Sequence, residues 1–504
     1  MTQTDGRQRL PDHDAPDRTA RGRDRVTPVI TVLAVSALLM ILNETVLSVV
    51  LPQLMNDFGV GATTVQWLTT GFMLTMAVVI PTTGFLLRRF TTRALFLAAI
   101  GLFIAGTVLA VVAPGFATML LARVIQACGT AIILPLLMTT TLRLVPVAHR
   151  GTVMGLNSVV ISVAPAIGPT VSGAITQALG WRWVFGLMLV LALVTLGLGL
   201  VFIRLSDRTE KAPLDMVSVL LSAIGFGGLV YGLASAEGLA DGSVVPVVAL
   251  VVGLVALVLF VLRQRALTRT GGELLDLRPF AVRNFRVSLI IVVVCMATML
   301  GTVMVLPIHL QAGLGLSVLT TGLLLLPGGL IQGVLSPVIG RIYDRVGPLP
   351  LVVPGAVLLA AGQWWLSTLT AHTSTTVVVA MHVVFCVGMA MLMTPLMTLA
   401  LGSLPRRLYS HGSAIMNTLQ QLAGAAGVAV LVTAMSIGAA GAGTADTVAA
   451  QVQGTQDAFL VGGCLALVAV VCAPLVRRLR RDPDAEPVEP AREGNGSEQD
   501  RASA

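Results

Sequence analysis

The sequence predicts an all-α polytopic membrane protein of fourteen transmembrane helices, set out as six, two and six. Three observations carry this. The 504 residues are 55% hydrophobic and 11% charged, with a mean hydropathy of +0.90, where a soluble chain is roughly a quarter charged. Apolar runs of about twenty residues, the length that crosses the hydrocarbon layer, recur along the whole chain. The runs do not alternate with period two, as barrel strands of about ten residues would, so helices are the expected spanners.

In chain order, a polar head (1–26) precedes six spans at about 28–54, 63–87, 94–113, 117–142, 151–178 and 182–203. Two spans follow at about 215–236 and 244–262, then six more at about 287–312, 317–340, 349–371, 375–403, 411–438 and 457–476. The tail is rich in Asp, Glu, Pro, Gly and Ser. This divides the chain into a disordered head (1–26), a first six-helix half (27–204), two inserted helices (205–265), a second six-helix half (266–481) and a disordered tail (482–504).

Loop charge orients the bundle. Arg88, Arg89 and Arg93 follow span two, Arg143 and Arg150 span four, and Arg204, Arg208 and Lys211 span six. Six arginines between Arg263 and Arg286 separate spans eight and nine. Arg341 and Arg345, Arg406 and Arg407, and Arg477 to Arg481 follow spans ten, twelve and fourteen. The other loops carry almost no positive charge, Arg182 being the clearest exception, so both termini are expected in the cytoplasm. The same distribution assigns the net charge of +8 to topology and argues against a nucleic-acid partner. All five cysteines (Cys128, Cys295, Cys386, Cys464 and Cys472) fall in apolar runs without a CxxC pair and read as small core residues. The polar head is too long for a signal-peptide n-region, so no cleavage is expected.

There is an internal echo. "GFLLRRFTTR" (84–93) follows span two and "GRIYDRVGPL" (340–349) follows span ten; both open on Gly, carry basic residues and lead into the next apolar run. Two similar six-helix halves with a path between them are the usual build of a rocking transporter.

Polar residues inside the spans are the candidate chemistry. Between Pro28 and Pro52 the only charged residue is Glu44, with Asn43 beside it. A mid-membrane charge costs at least about 2.5–3.5 kcal/mol on insertion scales, and low dielectric favours the neutral form of a carboxyl. Glu44 therefore reads either as an acid that exchanges a proton or recognises a cation, or as one hydrated near an interface or bonded to a neighbouring helix. The second intramembrane charge is Arg123 in "LARVIQACGTA" (121–131), sharing a helix face with Gln126. It reads equally as a tuner of a nearby acid and as a tether to backbone carbonyls. In "APAIGPTVSG" (164–173), Ala164, Gly168 and Ser172 form a small-residue stripe for close helix approach, and Pro165 and Pro169 are expected to kink the span. "NTLQQLAGAAG" (417–427) places Asn417, Gln420 and Gln421 on one face, as a polar cavity would require. His309, His382, Gln332 and Gln363 read as satisfied interhelical hydrogen-bonders. The only lysine, Lys211, is followed by Ala212, so no GK[ST] phosphate loop exists. Uphill movement of a solute would then draw on an ion gradient. A proton falling through about 150 mV releases about 3.5 kcal/mol, enough for roughly a 300-fold solute gradient.

These segments resemble a family. "LNETVLSVVLP" (42–52), "RVIQACGTA" (123–131), "APAIGPTVSG", "GWRWVF" (180–185) and "LLDLRPFAVRNFR" (274–286) are similar to motifs of the fourteen-helix drug–proton antiporters of the major facilitator superfamily, in the lincomycin-resistance branch, over about residues 28–476. Ala127, Ala164 and Ser172 stand at usual glycine positions. The resemblance implies the major facilitator fold and proton-coupled efflux of a small amphipathic drug or antibiotic across the cytoplasmic membrane by a monomer, with the proton gradient as energy source and no cofactor, metal or enzymatic step. It implies proton coupling through Glu44 and Arg123; a cavity lined by Asn43, Gln126, Asn157, Asn417, Gln420 and Gln421; an antiporter motif of Ala164, Pro165, Gly168, Pro169, Ser172 and Gly173; and a cytoplasmic gate of Gly84, Arg89, Gly340, Asp344, Arg345 and Gly347. One departure is clear: the family's loop after helix two carries Asp where Arg88 stands here. Two other readings remain open, an exporter of one narrow substrate (a self-made antibiotic, siderophore or peptide) and a receptor or assembly factor that kept the fold without transport.

Overall fold

In the computed structural model the described residues are 18–204, 215–235, 242–268, 272–442 and 447–478. Among them no strand occurs, and fourteen long α-helices follow one another. The first half holds α1 (Arg18–Phe58), α2 (Ala62–Arg89), α3 (Thr92–Val111), α4 (Phe116–Leu144), α5 (Arg150–Leu179) and α6 (Trp181–Phe202). The inserted pair is α7 (Met216–Ala234) and α8 (Val245–Leu267). The second half holds α9 (Arg283–Ile308), α10 (Val318–Val346), α11 (Leu349–Leu366), α12 (Thr375–Gly402), α13 (Tyr409–Gly441) and α14 (Thr447–Cys472). Thirteen of these meet the length and hydropathy of a membrane span; α5, thirty residues long, completes the set.

The boundaries differ from the sequence expectation where helices outrun their apolar runs. α1 begins at Arg18, inside the head expected to be disordered; the rest of that head (1–17) and the tail (482–504) lie outside the described residues. α14 begins at Thr447, ten residues before the expected span. Its added turns are polar, yet they pack: Gln456 Nε2 donates to the Leu369 carbonyl at 2.7 Å beyond the end of α11. Asp457, the first residue of the expected span, lies ten residues inside α14, an acid missed when only Glu44 and Arg123 were counted within spans. Gln453 Nε2 donates to it at 3.1 Å, and it abuts Gly438 of α13. α5 stays helical through Pro165 and Pro169.

Two large apolar clusters make up most of the core. One apolar cluster draws only on α1–α6 and their ends, among them Leu33, Met40, Leu47, Phe96, Phe103 and Phe185. A second is centred on α9–α14 with Phe285, Phe385, Met389 and Leu392, and it runs on into Phe85 of α2, Met138 and Leu142 of α4 and Phe226 and Phe260 of the inserted pair. α8 stands at the periphery: Val247, Val251, Val255, Val258 and Leu262 are each about half exposed, as a helix facing lipid requires. α7 and α8 meet backbone to backbone, since a Cβ on Gly228 would lie 2.9 Å from the Gly253 Cα.

The halves meet most closely where α5 crosses α10. A Cβ on Gly155 would fall 2.9 Å from the Pro337 Cα, and Gly151 and Gly340 touch through their backbones. The second junction is α2 against α13. Both lie at the arginine-rich end of the bundle, where even-numbered helices finish and odd-numbered helices start. At the opposite end "GWRWVF" closes the first half: Trp181 Nε1 donates to Asp57 Oδ2 at 2.7 Å, and Arg182 lies 4.2 Å over the Trp181 ring.

Candidate functional site

Arg123, on α4, is fully buried among α1, α2 and α4. Its Nη1 donates to Gln126 Oε1 at 3.0 Å and to the Asn43 carbonyl at 3.4 Å, and its Nε to the Leu68 carbonyl at 3.4 Å. The guanidinium carbon sits 4.1 Å from the centre of the Phe72 ring, a cation–π contact that partly replaces lost hydration. Gln126 is the hub. Its Oε1 also accepts from Asn43 Nδ2 at 3.3 Å, and its Nε2 donates to Thr107 Oγ1 at 2.9 Å. Two buried atoms, Asn43 Oδ1 and Arg123 Nη2, keep a hydrogen-bonding valence open.

Glu44 follows Asn43 on α1 and is half-buried. Among the described residues no ion pair at contact distance joins its carboxylate to Arg123; the link between them runs through the Asn43 carbonyl, which accepts from Arg123 Nη1. A fully buried cation with polar ligation but no contacting carboxylate thus lies near a half-buried acid, Glu44, the neighbour of its Asn43 ligand. Met40 and Ser48, each four residues from Glu44, share its face of α1. Met40 is fully buried, and the Ser48 side chain lies outside the described residues.

The other candidate amides are not gathered into one cluster. Asn157 Nδ2 donates to Thr141 Oγ1 at 3.1 Å, joining α5 to α4. Asn417 Nδ2 donates to the Ser413 carbonyl of its own helix at 2.9 Å. Gln420 approaches Met397 Sδ on α12 at 3.6 Å, and Gln421 reaches across the halves to Met76 Sδ on α2 at 3.9 Å. Among the isolated polar residues, Gln363 donates to Thr302 Oγ1 at 2.7 Å, whereas both ring nitrogens of buried His309 and Nδ1 of His382 have no partner among the described residues, against the expectation of satisfied bonds.

In the small-residue stripe, Ser172 Oγ donates to the Val46 carbonyl at 3.0 Å and a Cβ on Gly168 would collide with Thr45. Ala164 is buried and Gly173 half-buried, so α5 is drawn against α1 just beyond Glu44. The side chains of Pro165 and Pro169 lie outside the described residues.

At the arginine-rich end, Asp344 of α10 caps α5 of the other half. Its Oδ1 accepts from the Gly151 N–H at 2.8 Å, and its Oδ2 from the Thr152 N–H at 2.8 Å and Thr152 Oγ1 at 2.7 Å. A carboxylate at a helix N-terminus meets unsatisfied N–H groups and the positive end of the dipole. Gly340 allows the helices to touch there. Gly347 takes a φ of 84° to end α10, where a side chain would also meet Arg478. The Arg345 carbonyl accepts from Arg478 at 3.4 Å. Arg89 is exposed at the last residue of α2. Gly84 faces His411 and Ala414 of α13 and Leu275. Phe72, Thr107 and the Leu68 carbonyl escaped the sequence reading, because nothing in a run of apolar residues says which of them surrounds a buried cation.

Two helical halves with a buried charge network and close contacts at one end define a polytopic membrane transporter. The chain belongs to the Major Facilitator Superfamily, whose model matches residues 33–428. It is 39% identical over 459 residues to an uncharacterized MFS-type transporter, YcnB, of Bacillus subtilis (strain 168), covering 91% of this chain and 97% of that one. It is 38% identical over 471 residues to the lincomycin resistance protein LmrB of Listeria monocytogenes serovar 1/2a, covering 92% and 99%. The fold matches a solved structure of the proton:xylose symporter XylE bound to 6-bromo-6-deoxy-D-glucose with a TM-score of 0.64 at 17% identity, over 91% of this chain and 97% of that one.

Proposed function

We propose that the protein is a proton-driven exporter of drugs or antibiotics in the cell membrane, working as a monomer with both termini in the cytoplasm. The observation that carries this is Glu44 beside the fully buried Asn43–Arg123–Gln126 network. A half-buried acid can take up a proton when the path opens outward, and the nearby guanidinium favours its release once the path turns inward. Protonation changes the charge balance around Arg123 and so the relative stability of the two rocking states. Drug release on one side and proton entry from the same side then become linked. The name of the lincomycin-resistance relative, which aligns over nearly its whole length, supports an antibiotic as cargo. The alternating arginine-rich loops support the orientation.

The test is drug-triggered proton release from reconstituted vesicles, with lincomycin as the first probe within a panel, normalised to folded protein. Wild type should release protons on drug addition. Glu44→Gln should insert and fold but lose uphill, pH-driven efflux, and Glu44→Asp should keep part of it at a shifted pH optimum. Wild-type proton counts in Glu44→Gln would move coupling elsewhere.

A further inference from the structure

The two junctions between the halves are built on opposite charge. Asp344 stands four residues after Gly340 and caps α5 across the interface. Four residues after Gly84, at the matching place on α2, stands Arg88. A cation cannot cap the N-terminus of α13, and α13 has no side-chain cap of its own. Arg88 instead meets the segment joining α8 to α9. Its Nη1 lies 3.8 Å from Glu273 Oε1 and its Nη2 donates to the Glu273 carbonyl at 3.3 Å.

That segment is not a loose connection. Glu273, Leu274, Leu275 and Asp276 are each no more than 3% exposed. Asp276 accepts from the backbone N–H of Arg278 at 2.8 Å and pairs with its guanidinium at 2.8 Å, while Arg278 also approaches Glu273 at 3.9 Å. The Asp276 N–H donates to His411 Nδ1 at 3.2 Å on the first turn of α13. Leu275 packs on Gly84. The inserted helices hold this segment from the far side. Gln264 of α8 is fully buried, and its Oε1 accepts from the N–H groups of both Leu274 and Leu275, at 2.8 and 3.1 Å. Its Nε2 donates to Ser218 Oγ of α7 at 2.6 Å. Ser218 is bonded in turn to Asp215, which receives two hydrogen bonds from Arg263 at 2.7 and 2.9 Å.

We propose that residues 273–278, braced by the α7–α8 hairpin, are the latch that closes the α2/α13 junction, with Arg88–Glu273 as its releasable ion pair, in the role that Asp344 fills at α5/α10. The segment is covalently continuous with α9 of the second half and ion-paired to α2 of the first. Rocking the halves apart at this end must break the contact to α2 or tear the segment from α13. The polar contact to α2 runs through a single side chain, Arg88, whereas the segment continues into α9 and its Asp276 N–H is bonded to His411 of α13, so the Arg88–Glu273 pair is the contact that lets go. The inserted pair thereby has a mechanical task in a protein whose halves already number six helices each. This inference rests on the rocking-transporter reading and not on the identity of the drug.

The experiment reads the distance across the junction without any drug, so its failure is separable from failure of the exporter reading. Spin labels are placed at the exposed positions Ala94 and Arg406 in otherwise full-length protein in lipid nanodiscs, and the distance distribution is recorded by pulsed dipolar spectroscopy. Arg88→Glu and Glu273→Arg should each lower the ratio of short-distance to long-distance population about tenfold. The charge-swapped double variant should restore it to within about threefold of wild type. Gln264→Leu should give the same lengthening with Arg88 intact. Arg88→Gln, which removes the charge while keeping a polar side chain, serves if a reversal fails to fold. An unchanged distribution in folded Arg88→Gln or Arg88→Glu, or a swap that fails to recover, overturns the latch.

Discussion

Asp344→Asn is the most direct probe of the α5/α10 junction. The side chain keeps its size and one carbonyl oxygen but loses its charge, and its amide nitrogen then faces one of the N–H groups that the carboxylate accepted. Three bonds of 2.7–2.8 Å are affected. A hydrogen bond to a charged group contributes about 1.5–3 kcal/mol net and a neutral one about 1, and the helix terminus adds about 0.3–1 kcal/mol for the charge. Allowing two neutral bonds to survive, one through the carbonyl oxygen and one between the amide nitrogen and Thr152 Oγ1, the closed form loses about 3 kcal/mol at the low end of these figures. Asp344 is half-buried, so water takes up part of this loss. About 2 kcal/mol is roughly a 30-fold shift of the closed-to-open ratio. With spin labels at exposed Arg143 and Leu349, one on each half, the distance distribution should move from mainly short to mainly long. Thermal stability should fall by only a few degrees, because the bonds lie at one end of a single helix crossing and the apolar clusters stay packed. Asp344→Glu should recover little, since the longer side chain has no room between Gly151 and Gly340. A folded Asp344→Asn protein with a wild-type distance distribution would refute the reasoning.

Three further outcomes follow from the geometry. Gln126→Leu strands Asn43 Nδ2 and takes one acceptor from Arg123 Nη1 and one donor from Thr107 Oγ1, and should cost about 3–5 kcal/mol, since a charged hydrogen bond is lost and a buried donor is left unpaired; a melting temperature unchanged within a degree would contradict it. Gly155→Ala puts a methyl against the α10 backbone, which cannot turn aside, so it should cost the closed state about 1–3 kcal/mol and lengthen the Arg143–Leu349 distance, while Gly197→Ala, with open space around it, should do neither. Bonding from Arg263 first, and then from Ser218, holds the Asp215 carboxyl well below the usual carboxylate range, so its contribution is complete above the unfolded value of about 4 and fades only as pH falls further. The stability difference between wild type and Asp215→Asn should therefore stay flat from pH 5 to 8 and narrow below about pH 4, and a narrowing near neutrality would count against the pair.

The sequence alone determined the solvent and the plan. Apolar runs long enough to cross a bilayer dictate helices, because only intra-segment bonding satisfies the backbone there, and their grouping separates two halves from an inserted pair. Glu44 and Arg123 were legible because a charge in such a run is costly and therefore conspicuous. The same signal failed for Asp457, since a helix can continue past the membrane edge and carry an acid with it. Tertiary structure decided the rest. That Arg123 is ligated by Gln126, Asn43 and the Leu68 carbonyl depends on how α1, α2 and α4 cross, which apolar periodicity does not specify. That Asn157 and Asn417 spend their amides on neighbouring helical groups was invisible for the same reason. Arg88 stood out in the sequence as a charge of the wrong sign. Only the packing of Glu273 and Asp276 between α2, α8 and α13 shows where the matching negative charge comes from, because that pairing joins residues 185 positions apart and depends on the path of a segment whose composition reads as an ordinary loop.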